Sequence, residues 1–480
     1  MFRILRKGAG VVTAVALVGA AVGCSDFLDV NKDPNAPESV RMELTLPGVL
    51  VAFDNDILAS SYTDWGTEWS QQWSYNRDSR PYSVFQHYEM TSIDTDGFWG
   101  DVYADVMQEC KNIMEETEAN EDWQYHGIAK FLFAWAATIV SDAFGPVPLS
   151  EAFDTETPNP HYDTQKQVYD QAFQMIDEAI EEMQRPPSAR VPGENDLLFA
   201  GDMARWVQLA NSVKARLHMH VAYAPGENTQ EHAQTALNAL SGGLLSNADD
   251  ADFAFPGGSG QRQPLYHDGE WDDADVPSEL FVNLLKGLDD PRLPVVAQPA
   301  LSDGEFRGHR NGALGAADST ISKLGTWLIA EDQPYNWFSF AEAKLIEAEA
   351  RLIVSGAGAA DGPYRAGIRA SMEKMGVDGG DIDAYLAARP ALGPSDALER
   401  IITQKYIANF LHIEPWTDWR RTGYPHLEPV PERLAIFDGI PERLRTPASE
   451  ISYNGENVAA TGIPEGMEGM LVRLWWAGGS

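Results

Sequence analysis

Cysteine and positive charge are both scarce in this chain. Only Cys24 and Cys110 occur among its 480 residues, so neither a disulfide framework nor a cysteine-rich metal cluster is available. Lysine and arginine together number 35 against 72 aspartates and glutamates, a formal net charge of −37. Such a chain repels a phosphate backbone, which must be neutralised by cations to be held, and nucleic-acid partners are excluded. There is no HExxH, GxSxG or P-loop pattern and no close Cys/His set, so the strong signals for zinc peptidases, hydrolases and nucleotide binding are missing. Gly356-Ala357-Gly358 lacks both the preceding strand and the third glycine of a dinucleotide loop. Beyond the N-terminus no stretch reads as a run of about 20 apolar residues, the length needed to cross a bilayer.

What is present is a globular composition, 44% apolar and 22% charged, on a chain long enough for a large buried core. The acids are spread along the whole length. That distribution reads as a halophilic adaptation of the entire surface, where concentrated salt screens self-repulsion, and not as one acidic site.

Residues 1–23 read as a lipoprotein signal peptide. Arg3, Arg6 and Lys7 form a positive start, Val11 to Val18 a short apolar stretch, and Ala21-Val22-Gly23 a small-residue approach to Cys24. Cys24 is the expected lipidation site, and acyl chains on it would supply membrane attachment. Residues 24–40, polar and turn-forming, read as the lipidated tether. With Cys24 acylated, Cys110 has no partner; its spacing with Val106 and Ile113 places it as a buried structural thiol on a helix.

From residue 41 to 480 the pattern is that of a single, mainly α domain. Tyr62, Trp65, Trp69 and Trp73 recur on one helix face, as do Tyr125 to Ile139, Tyr169 to Met183, and Trp206 to Leu217. Ser339 and Glu342 are spaced as a capping box opening a helix over Ala341 to Val354, and Leu398, Ile401, Ile402 and Phe410 mark another. Strand-like alternation is weak. Between about 242 and 334 periodicity thins into a loop-rich insertion with one short helix at Leu280 to Leu288, and the chain is irregular again from about Gly423. Paired helices of this kind suggest a helical-repeat scaffold.

Two aspartate runs, Asp249-Asp250-x-Asp252 and Asp272-Asp273-x-Asp275, offer oxygen ligands but match no EF-hand loop. They read as solvated acidic turns; structural calcium stays open and no other cofactor is expected. Pairs of carboxylates that might suit glycoside hydrolysis arise by chance among 72 acids and carry no signal. The aromatic residues say more. Rings stack on the apolar faces of sugars while amides and guanidinium groups bind hydroxyls. The candidate ligand-binding residues are therefore Trp73, Tyr75, Asn76, Arg77 and Tyr82, at the end of the first stripe, with Trp271 and Trp327 in the loop-rich insertion.

Several motifs follow one another in a fixed order: Asp142-Ala143-Phe144-Gly145-Pro146-Val147-Pro148; Pro160-x-Tyr162-Asp163-x-Gln165; Gly201-Asp202 leading to Trp206 and Ala210-Asn211-Ser212; and Asp290-Pro291-Arg292. Glu342 to Glu349, Gln404-Lys405-Tyr406, Glu414-Pro415-Trp416-Thr417-Asp418-Trp419-Arg420-Arg421, Pro441-Glu442-Arg443, Ser449-Glu450 and Trp475-Trp476 complete the series. Together they resemble SusD/RagB-type nutrient-binding outer-membrane lipoproteins over nearly the whole chain after the signal. The resemblance implies tetratricopeptide-like paired helices carrying an irregular ligand-binding region, and a surface-exposed protein lipid-anchored to the outer membrane. It also implies a SusC-like TonB-dependent transporter as partner. The motif residues themselves read as structural, with Asp418, Arg420 and Arg421 expected in ion pairs between helices.

The leading expectation is a non-catalytic lipoprotein that captures an oligosaccharide or peptide and delivers it to that transporter. The alternatives are a cell-surface glycoside hydrolase using an Asp/Glu pair and a purely structural envelope lipoprotein.

Overall fold

Apolar residues at three- and four-residue spacing close the helices of this chain onto a shared interior. The computed structural model describes residues 41–76, 82–266, 275–313 and 319–479, apart from the side chains of Tyr82 and Ser83. The signal peptide, the tether with Cys24, and Arg77, Trp271, Asp272 and Asp273 lie outside the described residues. In order the elements are α1 (Met42–Ala52), α2 (Ser61–Trp69), β1 (Trp73–Tyr75), α3 (Asp96–Gly100), α4 (Gln108–Glu118), α5 (Trp123–Phe144), α6 (Gln165–Met183), α7 (Met203–Val221) and α8 (Thr229–Leu240). There follow β2 (Ala251–Phe253), β3 (Asp275–Pro277), α9 (Glu279–Gly287), β4 (Tyr335–Phe338), α10 (Phe340–Ser355), α11 (Ala357–Lys374), α12 (Gly379–Ala387), α13 (Ala397–Ala408) and α14 (Glu414–Thr422). Two short helices, α15 (Ala448–Tyr453) and α16 (Gly455–Ala460), sit in the C-terminal stretch.

The four aromatic and aliphatic stripes fall on α2, α5, α6 and α7 as the spacing predicts, with one exception. Helix α2 stops at Trp69 because Gln71 takes a φ of 58°, and Trp73 sits on a strand instead. Likewise Phe410 lies in the turn beyond α13. Helix α5 is buried around almost its full circumference, and is the one described helix whose length and hydropathy would suit a membrane span. The sequence reading missed that property, but the helix is packed inside protein. It ends at Gly145, whose φ of 83° disfavours any side chain, and Pro146 follows.

Successive helices pack as antiparallel pairs. The start of α5 meets the end of α6 through His126 and Lys130 on Glu182, while Gln165 at the start of α6 donates to the Ser141 carbonyl near the end of α5. Gly127 makes that approach close: a Cβ there would stand 2.9 Å from the Ala179 carbonyl oxygen. Helices α7 and α8 form a second pair and α10 and α11 a third. Cys110 is fully buried and unpaired, as its spacing predicts.

The motif residues form buried polar contacts. Asp142 accepts from Tyr169 Oη at 2.8 Å and Trp476 Nε1 at 2.6 Å. Arg421 clasps Glu349 at 2.5 and 2.6 Å and also Asp418, which Lys405 approaches. Arg292 clasps Asp290 and reaches Gln404 and Ser371. Two expectations need correction. Arg420 makes no ion pair among the described residues; it donates to the carbonyls of Asp142 and Glu442 and lies over the rings of Trp416 and Trp476. The capping box at Ser339 is half formed: Ser339 accepts from the Glu342 amide, but the Glu342 carboxylate turns to Arg216 at 2.7 and 2.8 Å.

Strand content is confined to two short antiparallel ladders among the described residues, β1 with β3 and β2 with β4. Both ladders involve the loop-rich insertion and join it to the helices.

Candidate functional site

The β1–β3 ladder sets Trp73 opposite Pro277 and Tyr75 opposite Asp275. Polar side chains brace it from behind. Ser74 Oγ donates to Gln86 and lies 2.8 Å from His309 Nδ1, Gln86 Nε2 donates to the Tyr75 carbonyl, and Asn311 Nδ2 donates to the Trp73 carbonyl at 2.6 Å. The chain leaves the ladder at the Tyr75–Asp275 end, so the segments carrying Arg77 and Trp271 both join the described chain there.

Trp73 does not face solvent. It is 8% exposed, packs into an apolar cluster with Phe281, Leu285 and Phe410, and its Nε1 donates to Thr67 Oγ1 at 2.7 Å. Its ring therefore supports the site from below. Asn76 is buried too. The backbone of Tyr82 opens a 3₁₀ turn, Tyr82–His87.

Tyr75 and Trp327 are only partly buried, and both pack on the cluster that holds Trp73. Leu265 packs there as well and bridges two small clefts. One, of about 60 Å³, is lined by Trp327, Gln263, Tyr335 and Lys374; the other, of about 20 Å³, by Trp73, Asp275 and Tyr335. Gln263 fixes the turn carrying Leu265 by donating to the carbonyls of Glu331 and Leu328. Arg262 pairs with Glu331 at 2.8 Å and lies 4.7 Å from the Tyr266 ring centroid. The result is a shallow face of rings and amides on a braced base, with clefts too small to enclose a sugar ring. A ligand here would stack on the face and not be engulfed.

Sequence reasoning did not single out Leu265, Tyr266, Arg262 or Tyr335. Pro264-Leu265-Tyr266 stands in the same polar surroundings as Trp271, and that isolated apolar patch was the available signal.

The first aspartate run takes structural roles, with Asp250 buried and not solvated as expected, while Asp272 and Asp273 of the second lie outside the described residues. Asp249 accepts from the amides of Leu245 and Ser246, and Asp250 and Asp252 both hold Lys374, at 2.6 and 2.8 Å. Among the described residues no group of three or more His, Cys, Asp or Glu converges as metal ligands do. Two carboxyls near this region are pushed well up by burial, Asp54 and Glu68. Asp54 is 0% exposed and accepts from Trp337 Nε1, and Glu68 is 4% exposed, so both are sealed away from any glycosidic bond.

The fold and most of the sequence match known proteins. Residues 34–447 match the SusD-like family model described as starch-binding and associating with the outer membrane. A SusD homologue from Bacteroides uniformis is 25% identical with a TM-score of 0.78, covering 91% of this chain and 98% of its own. A chitin-binding SusD homologue from Flavobacterium johnsoniae is 23% identical with a TM-score of 0.79, covering 90% and 98%. A further structure, described as a chitin-binding protein, is 24% identical with a TM-score of 0.78, covering 91% and 100%. No curated protein matches the chain. The helix pairs, the irregular insertion and the match over most of the length agree: this chain belongs to the SusD-like family.

Proposed function

We propose that this protein is a surface-exposed lipoprotein, anchored to the outer membrane through Cys24, that captures an oligosaccharide on the Trp327 face and delivers it intact to a SusC-like TonB-dependent transporter. The observation that carries the reading is that Trp327, Tyr75 and Leu265, each partly buried, all pack against one braced apolar cluster. A base fixed by the β1–β3 ladder holds the rings in place before the ligand arrives, which lowers the ordering cost of binding. Arg77 and Trp271, close in sequence to Tyr75 and Asp275, are proposed as further contacts. Chitin-binding relatives and a starch-binding family favour glycan over peptide as the cargo.

Purified protein is to be incubated with chito-oligosaccharides, malto-oligosaccharides and a peptide panel. Retention of a glycan without release of new reducing ends is expected, with about tenfold weaker retention by Trp327→Ala. Cleaved product, retention of peptides alone, or equal retention by Trp327→Ala overturns the reading. In cells, Cys24→Ala is expected to leave the membrane fraction, and the wild-type chain to co-purify with its transporter.

A further inference from the structure

A cavity of about 540 Å³, far larger than the clefts of the aromatic face, shares no lining residue with them. It opens where the Gly145-Pro146 turn, the start of α6 and the C-terminal stretch meet. Its basic lining residues are His161, Lys166, Arg443 and Arg473, with no aspartate or glutamate, in a chain with 72 acids.

Three of these basic side chains already have partners. His161 Nδ1 lies 2.9 Å from Glu151, Lys166 Nζ 3.0 Å from Glu227, and Arg473 Nε 3.5 Å from Glu442. Arg443 differs. It is 2% exposed, its Nε donates to the Leu444 carbonyl at 3.2 Å, and its buried Nη1 has no partner among the described residues. Burial pulls its basicity down to about 10, against an opposing influence from Tyr162 in the cavity wall. Buried Arg216, Arg292 and Arg421 each meet a carboxylate within 2.7 Å, and Arg420, which meets none, instead donates to two carbonyls and lies over two tryptophan rings. A guanidinium taken out of water and left unpaired is costly, and a carboxylate brought into the cavity would supply the counter-charge it lacks.

Two other features favour the same chemistry. The first-turn amides of Gln165 and Lys166 on α6 have no intrahelical acceptor, since the Thr164 cap takes only the Gln167 amide, so the helix end adds positive potential. On another wall, Trp475 with Ile463, Val472 and Leu474 presents an apolar surface. We propose that this cavity is a second ligand site, for a carboxylate-bearing molecule with an apolar face. The carboxylate sits against Arg443 and the body against Trp475. A uronic acid and a peptide C-terminus share this chemistry.

Calorimetric titration of the full protein with glucuronic acid and its methyl ester, and with Ala-Phe and its amide, separates the two sources. One or both acids are expected to bind, with the neutral counterpart at least about tenfold weaker. Arg443→Gln is expected to lose the same factor while the melting temperature of the free protein stays level or rises. Retention of neutral glycan by the Trp327 face is expected to be unchanged in this variant, so the two sites fail independently. Equal binding of acid and neutral forms, wild-type binding by Arg443→Gln, or binding of neither acid overturns the proposal. Should Arg443→Gln not fold, Trp475→Ala provides the second test: weaker acid binding supports the site and unchanged binding refutes it.

Discussion

In the helical core Arg421 meets Glu349 with both side chains at 0% exposure, while at the aromatic face Arg262 meets Glu331 with 29% and 42% of those side chains still in water. The two pairs have similar lengths and opposite consequences. A buried pair has surrendered its hydration, so either partner left alone is stranded; an exposed pair loses little, because water replaces the missing partner. The same division separates the aromatic rings. Trp73 is enclosed within its apolar cluster, whereas Trp327 packs against the same cluster and is only partly buried. The core thus spends its polar groups on one fixed arrangement, and the face keeps its groups available.

The sharpest challenge to this contrast is Arg421→Met, which strips Glu349 of its guanidinium and leaves Asp418 with Lys405 alone. A loss of about 3–5 kcal/mol in chemical denaturation is expected, and a loss below 1 kcal/mol would erase the distinction. Trp73→Ala is expected to cost about 3 kcal/mol through the cavity it leaves in the cluster of Phe281 and Phe410.

Acidification probes the core from another side. His218 stacks on Phe173 with ring centroids 4.1 Å apart, and burial, together with nearby His232 and Lys214, pushes its basicity down to about 3. The unfolded chain takes up a proton on this residue below about pH 6.5, while the folded chain refuses it until about pH 3, so stability falls as the pH drops through that window. A loss of about 2 kcal/mol between pH 6.5 and 5 is expected from this group, and His218→Gln should flatten that part of the curve. The smallest stability effect is expected for Trp327→Ala, under about 1 kcal/mol, since its ring keeps contact with water. Denaturation of this variant alongside the glycan retention assay shows whether the ring serves binding or packing.

The helices were legible because a 3.6-residue period writes itself locally: the stripes on α5, α6 and α7 appear where the structure has them. The aromatic face was not, because its framework is non-local. Strands of three residues carry no alternation to read, and β1 and β3 are distant in sequence. The stripe through Trp73 misled for a related reason. Its spacing continues unbroken across Gln71, whose positive φ ends the helix without any glycine to announce it. The half-formed cap at Ser339 teaches the same point, since the Glu342 carboxylate answers to Arg216 on another helix. The family resemblance supplied the architecture, yet the isolation of Arg443 could be found only by examining its neighbours in space.

The ladder joining Trp73–Tyr75 to Asp275–Pro277 has a consequence for how the molecule is made. A chain emerging from its amino end can pair its first helices long before the second strand has been synthesised, but the edge that carries Tyr75 must wait for its distant mate. That edge therefore forms only once synthesis has passed Pro277, and a nascent fragment ending short of it would hold its first helices while lacking the ladder altogether.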